Sequence, residues 1–314
     1  MTTDRPDPVL SGARSFRLLS GLSGVSVYLL TLDGENWFVR KAATITDHSV
    51  RLKAQSAKQI RFTEETPGPV RTPRVIGEGE IDGRYYFDME YVRGVDGATF
   101  LRRASYDQVT QFADRLCDYL NAAATTAPFG PSGPTSLFEA LFAKVCSVYA
   151  DTDVLDDQTL GRVMLMLDQV RRAGSLTPTL CHGDLTLENL IIDPDEDLWL
   201  IDLLDSPVEH YWQDVAKLHQ DLTGGWYLRR EARISRGVLD FVSGRILQQA
   251  DKLDPTYRHV HRALLTASFI RILPYARTAD DTAFVLDRIA YLTSDPSASA
   301  DDPTSLPIRP GGQP

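Results

Sequence analysis

Near its start the chain sorts apolar and polar positions into short alternating runs. "FRLLS", "SVYLLTL" and "NWFVRKA" are rich in β-branched and aromatic residues and predict strands. Glycines separate them, as does Asp33-Gly34, a pair suited to a hairpin turn. The period changes in "TDHSVRLKAQSAKQIRFTEE", which predicts a helix over 47–64 with Val50, Ala54, Ala57 and Ile60 as its buried stripe. Two more strands, "PRVIGEGE" and "RYYFDMEYV", follow around a tight turn at Asp82-Gly83. From about residue 95 the spacing is helical. Ser105 and Gln108 form a capping box that opens a helix to about Ala124. Further helices are predicted at 136–150, 157–173, 210–222, 226–250, 256–276 and 280–293. The pattern predicts an α+β chain: a small five-stranded lobe with one helix over 1–92, a linker over 93–98, and a larger helical lobe over 99–293. The composition of 294–314 predicts a disordered tail.

Composition narrows the function classes. A hydrophobic content of 43% suits a globular core, and no run of 18 or more apolar residues predicts a membrane span. "MTTDRPDPVL" lacks the layout of a signal peptide. The three cysteines, Cys117, Cys146 and Cys181, are widely spaced and form no CxxC pair, which argues for a reducing cytoplasm. A net charge of -10 would repel nucleic acid, and the basic pairs at 102–103, 171–172 and 229–230 read as solvated helix faces.

Chemistry concentrates in "CHGDLTLENLIID", residues 181–193, and in "LWLIDLLD" just after it. "LIID" and "LWLI" flank the polar turn "PDED" and predict a hairpin. Pairing Asp193 with Leu198 sets Leu190 opposite Ile201 and Asn189 opposite Asp202. Opposed side chains in a hairpin lie roughly 5 Å apart at Cβ. Two hard oxygen donors at that separation suit Mg²⁺, which fills its remaining shell with phosphate and water. Asp184 lies just before them on a loop, placed to take a proton from a nucleophile attacking metal-bound phosphate. Cys181 reads as a small apolar residue at a strand end.

This constellation resembles the catalytic and metal-binding loops of the protein-kinase-like superfamily, in its aminoglycoside phosphotransferase and choline kinase-like branch. The resemblance implies a bilobal kinase fold with Asp184 as catalytic base, Asn189 and Asp202 as Mg²⁺ ligands, and His182 as a structural loop residue. It extends to "DVAKL", where Asp214 would brace the catalytic loop. It also implies a nucleotide site in the first lobe. Gly21, Ser23 and Gly24 would lie over the phosphates, and Lys41, closing "WFVRK", would contact them, with Arg40 on the opposite face. "DMEYV" would be the hinge, with Met89 behind the adenine and the main chain of Glu90 and Val92 bonding it.

The chain departs from protein kinases at three points. The helix glutamate that pairs with the lysine is missing, and Gln55 and Gln59 stand in its region, able to orient Lys41 by a neutral hydrogen bond. Leu203-Leu204 replaces Phe-Gly, and Gly183 replaces the arginine that reads activation-loop phosphate. The last two departures point to a constitutively assembled small-molecule kinase that uses ATP, with GTP as the alternative donor, and Mg²⁺, while the glutamine in place of the helix glutamate keeps a pseudokinase among the readings. Rival readings are a protein kinase-like effector and a nucleotide-binding pseudokinase. The acceptor would be a hydroxyl on an antibiotic, amino sugar or other metabolite. Asp205, Glu209, His210, Trp212, Trp226 and Tyr227 are candidates to meet it. Arg271 would either meet an anionic acceptor or form a structural ion pair.

Overall fold

The computed structural model describes residues 7–19, 25–65, 68, 70–128, 133–206, 208–231 and 233–294. The alternating runs become β1 (Ser15–Leu19), β2 (Val25–Thr31) and β3 (Phe38–Ala43). Helix α1 (His48–Glu65), the short β4 (Val70–Arg71), β5 (Val75–Ile81) and β6 (Arg84–Glu90) follow. Strands β1, β2, β3, β6 and β5, in that order, form one antiparallel sheet. Its turns use the expected chemistry. Asp33 Oδ1 accepts from the amides of Glu35 and Asn36, and Gly34 has φ +95°. Asp82 and Gly83 both take positive φ, as a tight hairpin requires. Alternation then divides the sheet's faces. Tyr28, Leu30 and Ala42 pack with Val9 and Leu10, whereas Val39, Phe87 and Met89 cluster with Leu52 of α1.

Helix α1 corrects the predicted stripe. Val50 is 77% exposed and Ala54 and Ala57 are also exposed, while Leu52, Gln55, Ser56, Lys58, Gln59 and Phe62 are buried. The buried face is mostly polar because its polar groups have fixed partners outside the helix, described below. Buried polar groups are tolerated when hydrogen-bonded, so apolar periodicity alone points to the wrong face here.

The second lobe comprises β7 (Val95–Asp96), α2 (Gly97–Leu101), α3 (Tyr106–Thr125), β8 (Thr135–Ser136), α4 (Leu137–Asp151), α5 (Asp157–Val170), β9 (Ser175–Leu176), β10 (Leu190–Ile192), β11 (Leu198–Leu200), α6 (Tyr211–Leu222), α7 (Leu228–Glu231), α8 (Arg236–Leu253), α9 (Tyr257–Ile270) and α10 (Ala279–Thr293). Its core joins Leu116, Leu120, Trp212, Leu218, Leu264 and Phe269, and takes in Phe62 from α1. A second sheet, β4-β11-β10-β7, draws one strand from before β5 and so stitches the two parts of the chain together. The segment 93–98 is accordingly not a plain linker. Val95 and Asp96 pair with β10, and Asp96 caps α2 through the Thr99 amide. The helix predicted over 226–250 is two helices, α7 and α8. The one predicted over 256–276 ends at Ile270 and continues only as a 3-10 turn, Leu273–Tyr275, around Pro274, which has no N–H to extend the helix. Among the described residues no helix is long and apolar enough to cross a membrane.

Candidate active site

The hairpin that carries the metal-ligand candidates forms one register step from the expected one. Leu190 pairs with Leu200 and Ile192 with Leu198. The turn is tighter because Glu196 takes a left-handed φ of +65° and Asp193 gathers the turn, its Oδ1 accepting from the amides of Asp195 and Asp197. Asn189 therefore faces Ile201, whose amide donates to the Asn189 carbonyl at 3.0 Å. Asp202 comes next, and its own φ of +63° turns it into the cleft. A left-handed aspartate two residues past the end of a strand is a strained position held by its surroundings.

The loop that precedes the hairpin is held from within and from below. His182 is fully buried, which keeps its imidazole neutral. Its Nδ1 accepts from the Asp184 amide at 3.2 Å, so Nε2 carries the proton and donates to the Ile201 carbonyl at 2.9 Å. One ring thus ties the catalytic-base candidate to the strand leading to Asp202. Gly183 has φ +88°, and a Cβ there would fall 1.9 Å from the Leu204 carbonyl oxygen. Below the loop, α6 presents Asp214, Lys217 and Asp221 at helical spacing on one face. Asp214, with no exposure, accepts from the amides of His182 (2.8 Å) and Gly183 (2.9 Å) and from the Tyr119 hydroxyl (2.7 Å). Cys181, buried as expected, also points its Sγ at this carboxylate. Lys217 Nζ lies 2.9 Å from Asp184 Oδ1. Asp221 accepts from the amides of Leu187 and Tyr227, and its burial pushes its carboxyl up to about 6.

Asn189 Nδ2 donates to the Asp184 carbonyl at 2.9 Å and approaches Asp184 Oδ2 at 3.4 Å. That leaves Asn189 Oδ1 and Asp202 Oδ2 without a protein donor among the described residues. Among those residues no group of three or more His, Cys, Asp or Glu is placed to hold a metal. Two free oxygens are what Mg²⁺ asks of a protein when phosphate and water complete its shell, so the residues fit that ion.

Lys41 arrives from β3 with its side chain on the cleft side, its Nζ 2.7 Å from Asp202 Oδ1. Arg40 points the other way, forked onto Asp88 and bonded to the Val9 carbonyl. Burial resists charge on Asp202, but Lys41 and Gln55 hold its carboxyl below the usual range. Gln55 does not orient the lysine as expected. Its Nε2 donates to Asp202 Oδ1, the same oxygen that Lys41 uses. Gln59 donates to the Pro73 carbonyl and to Met89 Sδ at 3.2 Å, fixing the side chain expected behind the adenine. Lys58, on the same stripe as Gln55, donates to the Leu204 carbonyl at 2.7 Å and pairs with Glu209 at 3.2 Å. These are the partners that bury the polar face of α1.

At the hinge, the Glu90 amide donates to the Arg74 carbonyl, whereas the N–H and C=O of Val92 meet no hydrogen-bond partner among the described residues. Gly21, Ser23 and Gly24 lie outside the described residues. Of the acceptor candidates, His210 is corrected. It is 7% exposed, caps α6 by accepting from the Trp212 amide, and packs against the rings of Tyr211 and Trp212. Trp212 is likewise a core residue, and Glu209 serves Lys58. Asp205 is exposed on the segment after Asp202, and Trp226 lies under the Arg229 guanidinium, which also pairs with Asp281. Arg229 is thus not on a solvated face. Arg271 forms no ion pair among the described residues. Sequence reading missed Lys217, Lys58 and Asp221. The signal for Lys217 and Asp221 was their spacing from Asp214 on one helix face.

Residues 15–260 match the model of the phosphotransferase enzyme family (APH). No curated protein matches the sequence. Among solved structures, the GDP and kanamycin complex of APH(2")-IIia aligns with a TM-score of 0.65 at 15% identity, over 91% of this chain and 95% of that one. A fructosamine-3-kinase assignment from Thermobifida fusca YX-ER1 aligns at 0.61 and 17% identity, over 90% and 93%. Amicoumacin kinase hAmiN, in complex with AMP-PNP, Ca²⁺ and Ami, aligns at 0.60 and 13% identity, over 88% and 87%. At these identities the structures establish the shared kinase-like fold.

Proposed function

Because the chain belongs to the phosphotransferase enzyme family, we propose that this small-molecule kinase moves the γ-phosphoryl group of ATP to a hydroxyl of its acceptor in the presence of Mg²⁺. The observation that carries the reading is the linkage of Lys41, Asp202, Asn189 and Asp184 in one cleft. Lys41 touches Asp202, and Asn189 touches Asp184. The sheet and α1 form the nucleotide side, with Val92 offering free main-chain groups to the base and Met89 walling the rear. Of the neighbouring structures one holds GDP and another AMP-PNP, which keeps GTP as the alternative donor. The free thiols of Cys117, Cys146 and Cys181 suit a cytoplasmic setting, where nucleotide is available.

Asp184 orients the acceptor hydroxyl. As that oxygen bonds to Pγ, its proton passes to Asp184, and the Pγ–O bond to ADP breaks with the electron pair leaving on ADP. Lys217 occupies Asp184 Oδ1, which leaves Oδ2, approached by Asn189 Nδ2 only at 3.4 Å, to take the acceptor's proton. Asn189 and Asp202 would hold Mg²⁺, which when bound neutralises charge on the phosphates. His182, Gly183 and Asp214 keep the loop in place. The test is ADP release in a screen of hydroxylated metabolites and aminoglycosides, with product identified by mass. Phosphate appearing only on proteins would sink the small-molecule acceptor. Asp202→Ala should retain the fold and lose Mg²⁺-dependent nucleotide binding by calorimetry. Unchanged affinity would remove Asp202 from the metal site.

A further inference from the structure

Helix α1 meets the chain that follows β11 at two points. Gln55 Nε2 donates to Asp202 Oδ1 and, three residues on, Lys58 Nζ donates to the Leu204 carbonyl at 2.7 Å. Residues three apart share a helix face, so both bonds cross the cleft from one stripe. The Lys58 side chain is 7% exposed, and its ammonium also lies 3.2 Å from Glu209 Oε2. A buried ammonium is tolerated only where fixed acceptors replace its hydration, and here a carbonyl and a carboxylate do so.

What Lys58 grips is itself fastened to the catalytic loop. The Leu204 amide donates to the His182 carbonyl at 2.9 Å, and the Leu204 carbonyl stands so close to Gly183 that a Cβ there would lie 1.9 Å from its oxygen. Glu209 Oε1 accepts from the Ser206 amide at 2.6 Å, and the Glu209 carbonyl accepts from the Thr179 amide at 3.0 Å, just ahead of the loop. Burial pushes the Glu209 carboxyl up, and Lys58 is the charge that most opposes this. The contacts therefore run from α1 through Lys58 to Leu204 and Glu209, and from these to His182 and Thr179. In protein kinases, phosphorylation of the segment after the metal-binding aspartate helps to bring the helix and that aspartate into place. Here a lysine and two acceptors of the chain itself make the link.

We propose that Lys58 is a positioning residue for phosphoryl transfer: by docking α1 on Leu204 and Glu209 it sets Gln55 against Asp202, so that the carboxylate is aligned for Mg²⁺ without covalent activation. This rests on the kinase reading above, in which Asp202 holds the metal. Lys58 touches neither substrate, and its effect passes through Gln55.

The test is calorimetric titration of the full chain with Mg²⁺-ATP, for the wild type, Lys58→Met, Lys58→Arg, Gln55→Leu and the double variant Lys58→Met/Gln55→Leu. Methionine keeps the aliphatic volume and removes the charge. Lys58→Met should weaken Mg²⁺-ATP binding by about threefold to tenfold, the net worth of one hydrogen bond. Lys58→Arg, which keeps a charge and donors, should recover part of that loss. In the Gln55→Leu background Lys58→Met should change the affinity by less than about twofold, because the residue it acts through is already gone. The urea midpoint would fall on removal of any buried, bonded lysine, so the affinity carries the test. Wild-type affinity in Lys58→Met, or an equal loss in both backgrounds, would overturn the proposal while the kinase reading stands. If Lys58→Met does not fold, Glu209→Gln takes its place in the same cycle. It keeps an oxygen for the Ser206 amide and removes the counter-charge of Lys58, and the same two outcomes overturn the proposal. If the wild type shows no Mg²⁺-dependent affinity for ATP, the kinase reading fails and takes the proposal with it.

Discussion

Lys217 offers the sharpest test of how the site works. Its side chain is 7% exposed, and its ammonium lies 2.9 Å from Asp184 Oδ1 and 2.9 Å from Gln220 Oε1. Lys217→Met keeps the volume and removes the charge, so no cavity confuses the result. Breaking a fully buried ion pair costs about 3–5 kcal/mol. Asp184 retains 22% exposure, so water can take over part of the lysine's role, and a loss of about 1–3 kcal/mol in folding stability is expected. The effect on turnover should be larger. During transfer negative charge spreads over the phosphoryl oxygens next to Asp184, where a pre-placed cation acts on the transition state, and losing one such group costs about 10²–10³ in rate. The expected outcome is a modest fall in the urea midpoint, near-normal Mg²⁺-ATP affinity, and single-turnover transfer slower by that factor. Lys217→Arg should recover part of the rate. Transfer within about threefold of wild type, with stability still reduced, would show that Lys217 only braces the loop and would refute the reasoning.

Other consequences can be measured on the same preparation. Gly183→Ala combines a left-handed φ with a Cβ 1.9 Å from a carbonyl oxygen and should cost about 3–5 kcal/mol by urea unfolding; a loss under about 1 kcal/mol would mean the loop can shift without harm. Asp184→Asn should bind Mg²⁺-ATP normally, transfer phosphate about 10²–10⁴ times more slowly, and lose about 1–3 kcal/mol of folding stability because the buried Lys217 loses its counter-ion; an unchanged single-turnover rate would remove it as the base. Burial holds His210 down to about 4. Below about pH 6.5 the unfolded chain takes up that proton and the folded one does not, so stability is lost as pH falls from 6.5 towards 4, by about 3 kcal/mol from this group. His210→Asn, which can still cap α6, should flatten that part of the stability profile; an unaltered slope would assign the acid sensitivity elsewhere.

Residues brought together by short-range spacing were legible in the sequence as neighbours. Asp184, Asn189 and Asp202 lie within one loop and one hairpin, and alternation in the first lobe gave five strands and both faces of β3. What escaped was set by partners distant in sequence. Apolar periodicity chose the wrong face of α1 because Gln55 and Lys58 are buried against residues roughly 150 positions away, and no local rule anticipates a buried polar stripe. The hairpin slipped by one because Glu196, neither glycine nor asparagine, takes the left-handed turn position. Lys217 needed α6 to be placed under the loop before its spacing from Asp214 acquired meaning.

Gln55 is where the two parts of the site meet, and its identity can be argued through. Were it a neutral stand-in for the glutamate that pairs with lysine in protein kinases, its side-chain oxygen would accept from Lys41. Instead its amide nitrogen donates to Asp202 Oδ1, where Lys41 also bonds. A glutamate cannot donate there when ionised, and it would set a second carboxylate against the first. Glutamine is then the residue that fixes Asp202 in its left-handed conformation with Oδ2 left free, as the proposed Mg²⁺ site requires. Gln55→Glu should therefore weaken Mg²⁺-ATP binding by about tenfold, the equivalent of one charge-assisted hydrogen bond exchanged for a repulsion. Gln55→Leu, which removes the donor without adding charge, should fall between that variant and the wild type. Calorimetric titration of the three proteins decides the matter. If Gln55→Glu binds Mg²⁺-ATP as tightly as the wild type or more tightly, position 55 serves Lys41 rather than Asp202, and the glutamine is only a weakened form of the usual pair.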